Sequence, residues 1–340
     1  MKVLIIGGTG TISSPITNTL SKMDNVELYV LNRGKKKTEE LKGVKYLVSD
    51  IKDVERVKTL LKDLEFDVVI NFLIMNLEDA KNNYEIFKDK TKQFIYISTV
   101  CVLNGPSSCN LNEDSLVGNC YSMYGIEKAS AERFFLQKYK EDNFNVVIVR
   151  PTQTYSDHRI PLSVKGSNYW GVVSRMLKGK KVIVHGDGQS VWAGTHALDF
   201  SKAFMGLVNN EKANGEVYQI MNPEVYTWDM IYSTLARLLN VEYNPVYIPT
   251  DILVYSKKYD FVGSIQGDKR WSKIFDVKKI NEVIPDLKFD IDMEKGLSMF
   301  IEYMDAHPEE KIEDEEFDKW CDDVIELYEK HFEILSNEML

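Results

Sequence analysis

Short unbroken apolar runs alternate with amphipathic segments through the first 150 residues, and this rhythm constrains the fold more than any other feature of the chain. The runs Lys2–Ile6, Val26–Leu31, Val44–Val48, Asp67–Phe72, Gln93–Ser98 and Asn145–Val149 are rich in Val, Ile, Leu and aromatic residues. Most lack the polar alternation of a strand with one wet face, which suits parallel strands covered on both sides. Between them, 15–22, 54–64, 78–88 and 122–139 carry helical periodicity. Strand, helix, strand repeated in this way predicts an α/β fold built on a doubly wound parallel sheet.

After Arg150-Pro151 the rhythm changes. Residues 155–171 hold turn formers and aromatics with no period. A strand over 181–184, a helix over 198–208 and a strand over 217–220 read as returns to the main sheet. An amphipathic helix over 227–239 and an extended run over 243–248 follow. The last 32 residues are acidic and helical. Their Phe317, Trp320, Val324 and Leu327 share one face, which is expected to pack inward.

The first strand leads into Gly7-Gly8-Thr9-Gly10-Thr11-Ile12-Ser13 and then a helix. Glycines there let the backbone approach a pyrophosphate, whose charge sits on the helix N-terminus. Ser13 holds the third glycine position and is small enough for close helix–strand packing. The pattern predicts a Rossmann-type dinucleotide site over residues 1–152. A smaller C-terminal substrate lobe over 153–308 and an acidic helical extension over 309–340 complete the expected organisation.

An NAD site places an acidic residue at the end of the second strand. Here Asn32 is followed by Arg33, and an uncharged residue with a guanidinium favours the 2′-phosphate of NADP over NAD. Asp50 is placed for the adenine edge. Ligands of such sheets lie outside the strands' carboxyl ends. The expected cofactor contacts are Gly7, Thr9, Gly10, Thr11, Ile12, Asn32, Arg33, Asp50, Ile51, Phe72 and Leu73, to which the family resemblance carried by the later motifs adds Tyr124, Lys128, Pro151 and Thr154.

Tyr124 and Lys128 stand four apart on one face of a predicted helix. A phenol with a pKa near ~10 is a poor base at neutral pH. A neighbouring ammonium and a positive nicotinamide ring would bring it into range. Thr99, just past the fifth strand, can hydrogen-bond the same substrate oxygen.

With Gly7-Gly8-Thr9-Gly10, Ser98-Thr99, Tyr124-Gly125-Ile126-Glu127-Lys128-Ala129, Val149-Arg150-Pro151, Gly186-Asp187-Gly188 and His196…Asp199 in this order, the chain resembles the extended short-chain dehydrogenase/reductases, or NAD-dependent epimerase/dehydratases. The resemblance covers about the first 210 residues. It implies that Thr99, Tyr124 and Lys128 form a catalytic triad, and that backbone after Arg150-Pro151 lines the nicotinamide. A homodimer through the helices around Tyr124 is implied in the same way. Family members that dehydrate sugars carry an acidic pair directly after the catalytic Ser or Thr; here Val100 and Cys101 stand there. The arginine common four residues past the Gly-Asp-Gly turn is Trp192, leaving Arg159, Arg175 or Arg270 to replace it. A shortened stretch between Asn71 and Phe94, with Leu31-Asn32-Arg33-Gly34, resembles the subgroup that includes chloroplast stem-loop-binding proteins.

These readings predict an enzyme moving hydride between NAD(P) and a secondary alcohol of a sugar-like small molecule, as an epimerase, reductase or dehydrogenase. Tyr169, Trp170 and Trp192 are expected, with Thr99, to contact substrate. His196 reads as a structural hydrogen-bonding residue. The alternative is a catalytically silent nucleotide sensor or RNA-binding protein on the same fold. A formal charge of −10 disfavours nucleic acid, which wants clustered cations. Lys35-Lys36-Lys37 is the only dense basic run and reads as a solvated loop. No apolar stretch is long enough for a membrane span, and the histidines and cysteines lack metal-site spacing. Met1 runs directly into a strand pattern, so a cytoplasmic protein with free thiols is expected.

Overall fold

A computed structural model describes residues 1–34, 40–105 and 108–339, so the Lys35–Lys37 run lies outside the described residues. Seven strands, β1 (Lys2–Ile6), β2 (Glu27–Asn32), β3 (Lys45–Val48), β4 (Phe66–Asn71), β5 (Thr91–Ile97), β6 (Val146–Pro151) and β7 (Val217–Ile220), form one sheet. Their order is β7-β6-β5-β4-β1-β2-β3, parallel throughout. The strand order reverses between β1 and β4, the topological switch point where ligands of such sheets bind.

The apolar runs are buried because helices cover both faces. Helices α1 (Ser13–Ser21), α2 (Val54–Leu60), α3 (Leu77–Phe87) and α4 (Met123–Asp142) link the strands. Side chains on one face of the sheet, among them Leu4, Val69, Phe94 and Ile148, pack with Phe87 and Phe135 of α3 and α4. Those on the other, among them Ile5, Ile70, Ile95 and Val147, pack with Ile16 and Phe204. Period-two alternation thus divides each strand between two cores. On the face of the first core, Arg150 and Glu132 form a buried two-point ion pair at 2.9 and 2.7 Å, which ties β6 to α4.

The smaller lobe includes α5 (Trp170–Leu177) and has a core of its own around Trp192, Trp228, Tyr232, Leu297 and Phe300. The strand expected over 181–184 does not return to the main sheet: Val182–His185 pairs in parallel with Pro245–Ile248 as a separate two-stranded sheet. The return over 217–220 is β7, at the sheet edge. The C-terminal helix, Glu315–Glu338, buries Phe317, Cys321 and Ile325 in the lobe core, with Trp320, Val324 and Tyr328 packed beside them. Leu327 points outward and is 58% exposed. Arg175 of α5 fastens that helix through Asp318 and Asp322 at 2.6 and 2.8 Å. Among the described residues, no helix is long and apolar enough to cross a membrane, and no side-chain group could hold a metal ion.

Candidate active site

The glycine turn joins β1 to α1 at the switch point. Gly7 takes φ +84°, a left-handed conformation that favours glycine, and a Cβ there would meet Leu73 at 2.8 Å. Gly8 faces Thr17 and Val30 so closely that a Cβ would stand 2.9 and 3.1 Å from them. Ser13 is buried, and its Oγ accepts the Gly10 N–H at 2.8 Å. Gly7, Thr9, Gly10, Asn32, Arg33, Ile51 and Leu73 line one cleft with Ser49 and Gly34. Asn32 shapes it, since its Oδ1 accepts the N–H of Gly34 at 2.9 Å. Asp50 is not in that lining: its carboxylate turns back to accept the Lys52 N–H at 3.0 Å, and Ser49 and Ile51 stand there instead. Thr11 faces a neighbouring groove, with Ser14, Asp157 and His196. The cleft fits a dinucleotide: the glycine turn that opens α1 lines it and can hold a pyrophosphate at the helix N-terminus, and Arg33 adds a cation to the same lining.

A second cavity, about 380 Å³, lies between the sheet's carboxyl edge and the lobe. Ile12, Phe72, Thr99, Tyr124, Lys128, Pro151 and Thr154 line it, with Tyr169 and Trp192 from the lobe. Trp170 is absent from that lining: as the first residue of α5 it turns into the lobe core, under the Lys311 ammonium at 5.1 Å.

Ser122 caps α4 by accepting the Gly125 N–H at 3.1 Å, and the helix then presents Tyr124 and Lys128 to the cavity. Lys128 is buried and donates at 2.7 Å to two carbonyls, Ile74 after β4 and Ile97 at the end of β5. It therefore fixes the two loops that frame the cavity. Burial pulls its ammonium down to about 7, against the pull of Glu132 and Asp79. Its Nζ lies 5.8 Å from the centre of the Tyr124 ring. Desolvation of its hydroxyl pushes the Tyr124 phenol up to about 12, the Cys101 thiol adding to this and a Thr99 hydrogen bond opposing it. The expectation that an ammonium and a positive nicotinamide ring together favour phenolate concerns the protein with its dinucleotide bound.

Several site residues escaped the sequence reading. A π-helical segment, Val262–Lys269, carries Ser264, Asp268 and Lys269 into the cavity. Asn119 donates at 2.9 Å to the Cys101 carbonyl and at 2.6 Å to that of Gly267, locking the Thr99 segment to this lobe element. Asp268 is paired at 2.7 Å with the buried Lys273. The Asn119–Gly267 contact joins positions 148 apart and leaves no local period. Of the three arginines named as replacements, Arg159 lines the cavity, whereas Arg175 is spent on the C-terminal helix and Arg270 pairs with Asp251 elsewhere. His196 is buried and caps the next helix, its Nδ1 accepting from Leu198 N–H at 3.3 Å.

Gly125 is the closest approach of α4 to the segment after Thr99, and a Cβ there would collide with the Cys101 carbonyl oxygen. Gly125→Ala should cost about 1–3 kcal/mol, as overpacking does, and should lower turnover by displacing Tyr124 from Thr99. Thermal unfolding and steady-state rates measured together check both effects; unchanged values in both would remove this contact from the account.

Residues 3–221 match the family model described as NAD dependent epimerase/dehydratase family. The chain is 24% identical over 245 residues to dTDP-D-glucose 4,6-dehydratase of Homo sapiens, covering 64% of this chain and 68% of that protein. It is 25% identical over 264 residues to chloroplast stem-loop binding protein of 41 kDa b of Arabidopsis thaliana, covering 72% of this chain and 66% of that one. Among solved structures it resembles UDP-glucuronic acid 4-epimerase from Bacillus cereus in complex with NAD, with a TM-score of 0.71, 20% identity and coverage of 90% and 97%.

Proposed function

The chain belongs to the NAD dependent epimerase/dehydratase family, as an NAD-dependent enzyme of the extended short-chain dehydrogenase/reductase type, and from that premise we propose that it oxidises and reduces a secondary alcohol carbon of a sugar-like substrate with Thr99, Tyr124 and Lys128. The observation that carries this reading is their convergence on one cavity that adjoins the glycine cleft. A bound nicotinamide supplies the acceptor and donor of hydride. Tyr124 exchanges the hydroxyl proton of the substrate, Thr99 hydrogen-bonds the same oxygen, and Lys128 holds the framing loops and adds positive charge near the phenol. A neutral phenol is ready to protonate a ketone's oxygen during reduction. In oxidation it must ionise, which the positive ring of an oxidised dinucleotide favours.

Epimerisation or simple reduction fits the site better than dehydration. Val100 and Cys101 occupy the positions after Thr99, and burial pushes the Cys101 thiol up to about 12. The carboxylate that does reach the cavity, Asp268, is engaged by Lys273.

NADP is the preferred cofactor on this reading, because Arg33 lines the cleft at the end of β2. Arg33→Ala should weaken NADP binding by about 10- to 100-fold, the range for charged hydrogen bonds, and leave NAD binding nearly unchanged. Calorimetric titration with both cofactors decides this; equal losses for both would assign Arg33 no role in the choice. The reading as a whole is tested by native mass spectrometry of the purified protein, followed by turnover on a panel of keto sugars and nucleotide sugars. Retained dinucleotide is expected of an epimerase and an empty site that turns over NADPH of a reductase; failure to bind either cofactor would end it.

A further inference from the structure

Eight buried side-chain polar atoms lack a hydrogen-bond partner among the described residues, and four of them lie in residues lining this one cavity: Ser98 Oγ, Thr152 Oγ1, Arg159 Nε and Trp192 Nε1. An unpaired buried donor is costly, so a cluster of them marks a place where a ligand completes the hydrogen bonding. Ser98 and Thr152 sit at the sheet end, beside Thr99 and Pro151. Arg159 and Trp192 belong to the lobe side, and their N–H groups can only donate, so they call for an acceptor.

The surrounding charge gives that acceptor its sign. Lys165 and Lys269 line the same cavity. Arg159 and Lys165 flank the Tyr169 ring at 5.8 and 5.1 Å. Among the described residues neither has a carboxylate within ion-pair distance, and Asp268 is already matched to Lys273. Lys269 donates to the carbonyls of Leu162 and Ser163 at 2.7 and 3.0 Å, which neutralise no charge. Burial and the Arg159 guanidinium hold the Lys165 ammonium below its ordinary value, and burial holds Lys269 down to about 8. Three cations lining the cavity that also holds Tyr124 are the complement of an anionic ligand there.

Resting on the oxidoreductase reading above, we propose that the substrate is a compact polyol bearing its own oxyanion, a carboxylate or a phosphate ester, gripped by Arg159, Lys165 and Lys269 with the Trp192 N–H. A nucleoside-diphosphate sugar fits less well. The cavity must hold the nicotinamide ring besides the substrate, Trp192 occupies the family's usual arginine position, and Arg175 and Arg270 are committed to Asp318, Asp322 and Asp251.

The test is calorimetry on the full chain, first with NADP and NAD, then on the cofactor-loaded protein with glucuronate, glucose 6-phosphate, glucose, UDP-glucose and inorganic phosphate. Glucuronate or glucose 6-phosphate should bind at least ~10-fold tighter than glucose or UDP-glucose, the preferred one telling carboxylate from phosphate. Arg159→Met should remove that advantage, Arg159→Lys should retain part of it, and unchanged cofactor affinity in both variants shows that the fold is intact. Tighter binding of UDP-glucose, anion binding indifferent to Arg159→Met, or no binding of any anion including inorganic phosphate overturns the proposal. Cofactor binding without anion binding sinks only the anion site. Arg159-dependent anion binding to a protein that takes no dinucleotide sinks the oxidoreductase reading instead.

Discussion

Tyr124→Phe should reduce turnover by about 10²- to 10⁴-fold, the range for losing a positioned general acid or base, while dinucleotide affinity stays close to that of the unaltered protein. The loss corresponds to roughly 3–5 kcal/mol of barrier. The substitution removes one oxygen and leaves the ring beside Lys128, so the cavity keeps its shape. The pH dependence of the remaining enzyme carries the same signature. Desolvation of its hydroxyl keeps the free phenol up near about 12, and a phenol is protonated below its pKa. Alcohol oxidation should therefore speed up as pH rises, with the bound oxidised ring lowering the midpoint, whereas reduction should be favoured at lower pH. A pH profile that is flat in the unaltered enzyme, or unchanged in Tyr124→Phe, would take the proton away from this tyrosine. A silent sensor on the same fold would show neither effect.

Arg150→Met should destabilise the protein by about 3–5 kcal/mol, the cost of leaving a buried charge without its partner. Both side chains of the Arg150–Glu132 pair are under 5% exposed, and Arg150 also donates to the Glu113 carbonyl at 3.0 Å. Glu132 lies one turn beyond Lys128 on α4, and Pro151 follows Arg150 into the cavity lining. The pair thus clamps α4 to the strand that leads into the cavity lining at Pro151. Replacing both residues, Arg150→Met with Glu132→Met, should recover most of the loss, because two apolar side chains leave no charge stranded. Urea unfolding of the single and double variants measures this. A single variant as stable as the parent would show that the pair contributes little.

The sheet was legible because a parallel strand covered on both faces carries an unbroken apolar run, as Val3–Ile6, Val68–Ile70, Phe94–Ile97 and Val146–Val149 do. The same property explains the misplacement of 182–185. A buried parallel strand reads alike whichever sheet it joins, and its partner, Pro245–Ile248, lies some sixty residues away. Leu327 was assigned to the buried face because positions three and four apart both continue a helical stripe; Tyr328 takes that place. Tyr169 and Trp170 are adjacent in sequence, but the start of α5 turns one to the cavity and the other to the core. The glycine turn and the Tyr124–Lys128 spacing were readable because each works within a few residues. Asp268, Lys269 and Asn119 were not, since only the folding of the lobe over the sheet brings them to the site.

The most direct test of the central claim follows hydride and dinucleotide in the same sample. Purified protein is loaded with NADPH deuterated at the transferable position and given a panel of keto sugars and keto acids, and product deuteration is read by mass spectrometry beside cofactor occupancy. The account predicts deuterium on the carbinol carbon of a product in the unaltered protein. In Tyr124→Phe it predicts none on the same timescale, with the dinucleotide bound in both. Product labelled at an undiminished rate by Tyr124→Phe, or a protein that takes up neither NADP nor NAD, would contradict it.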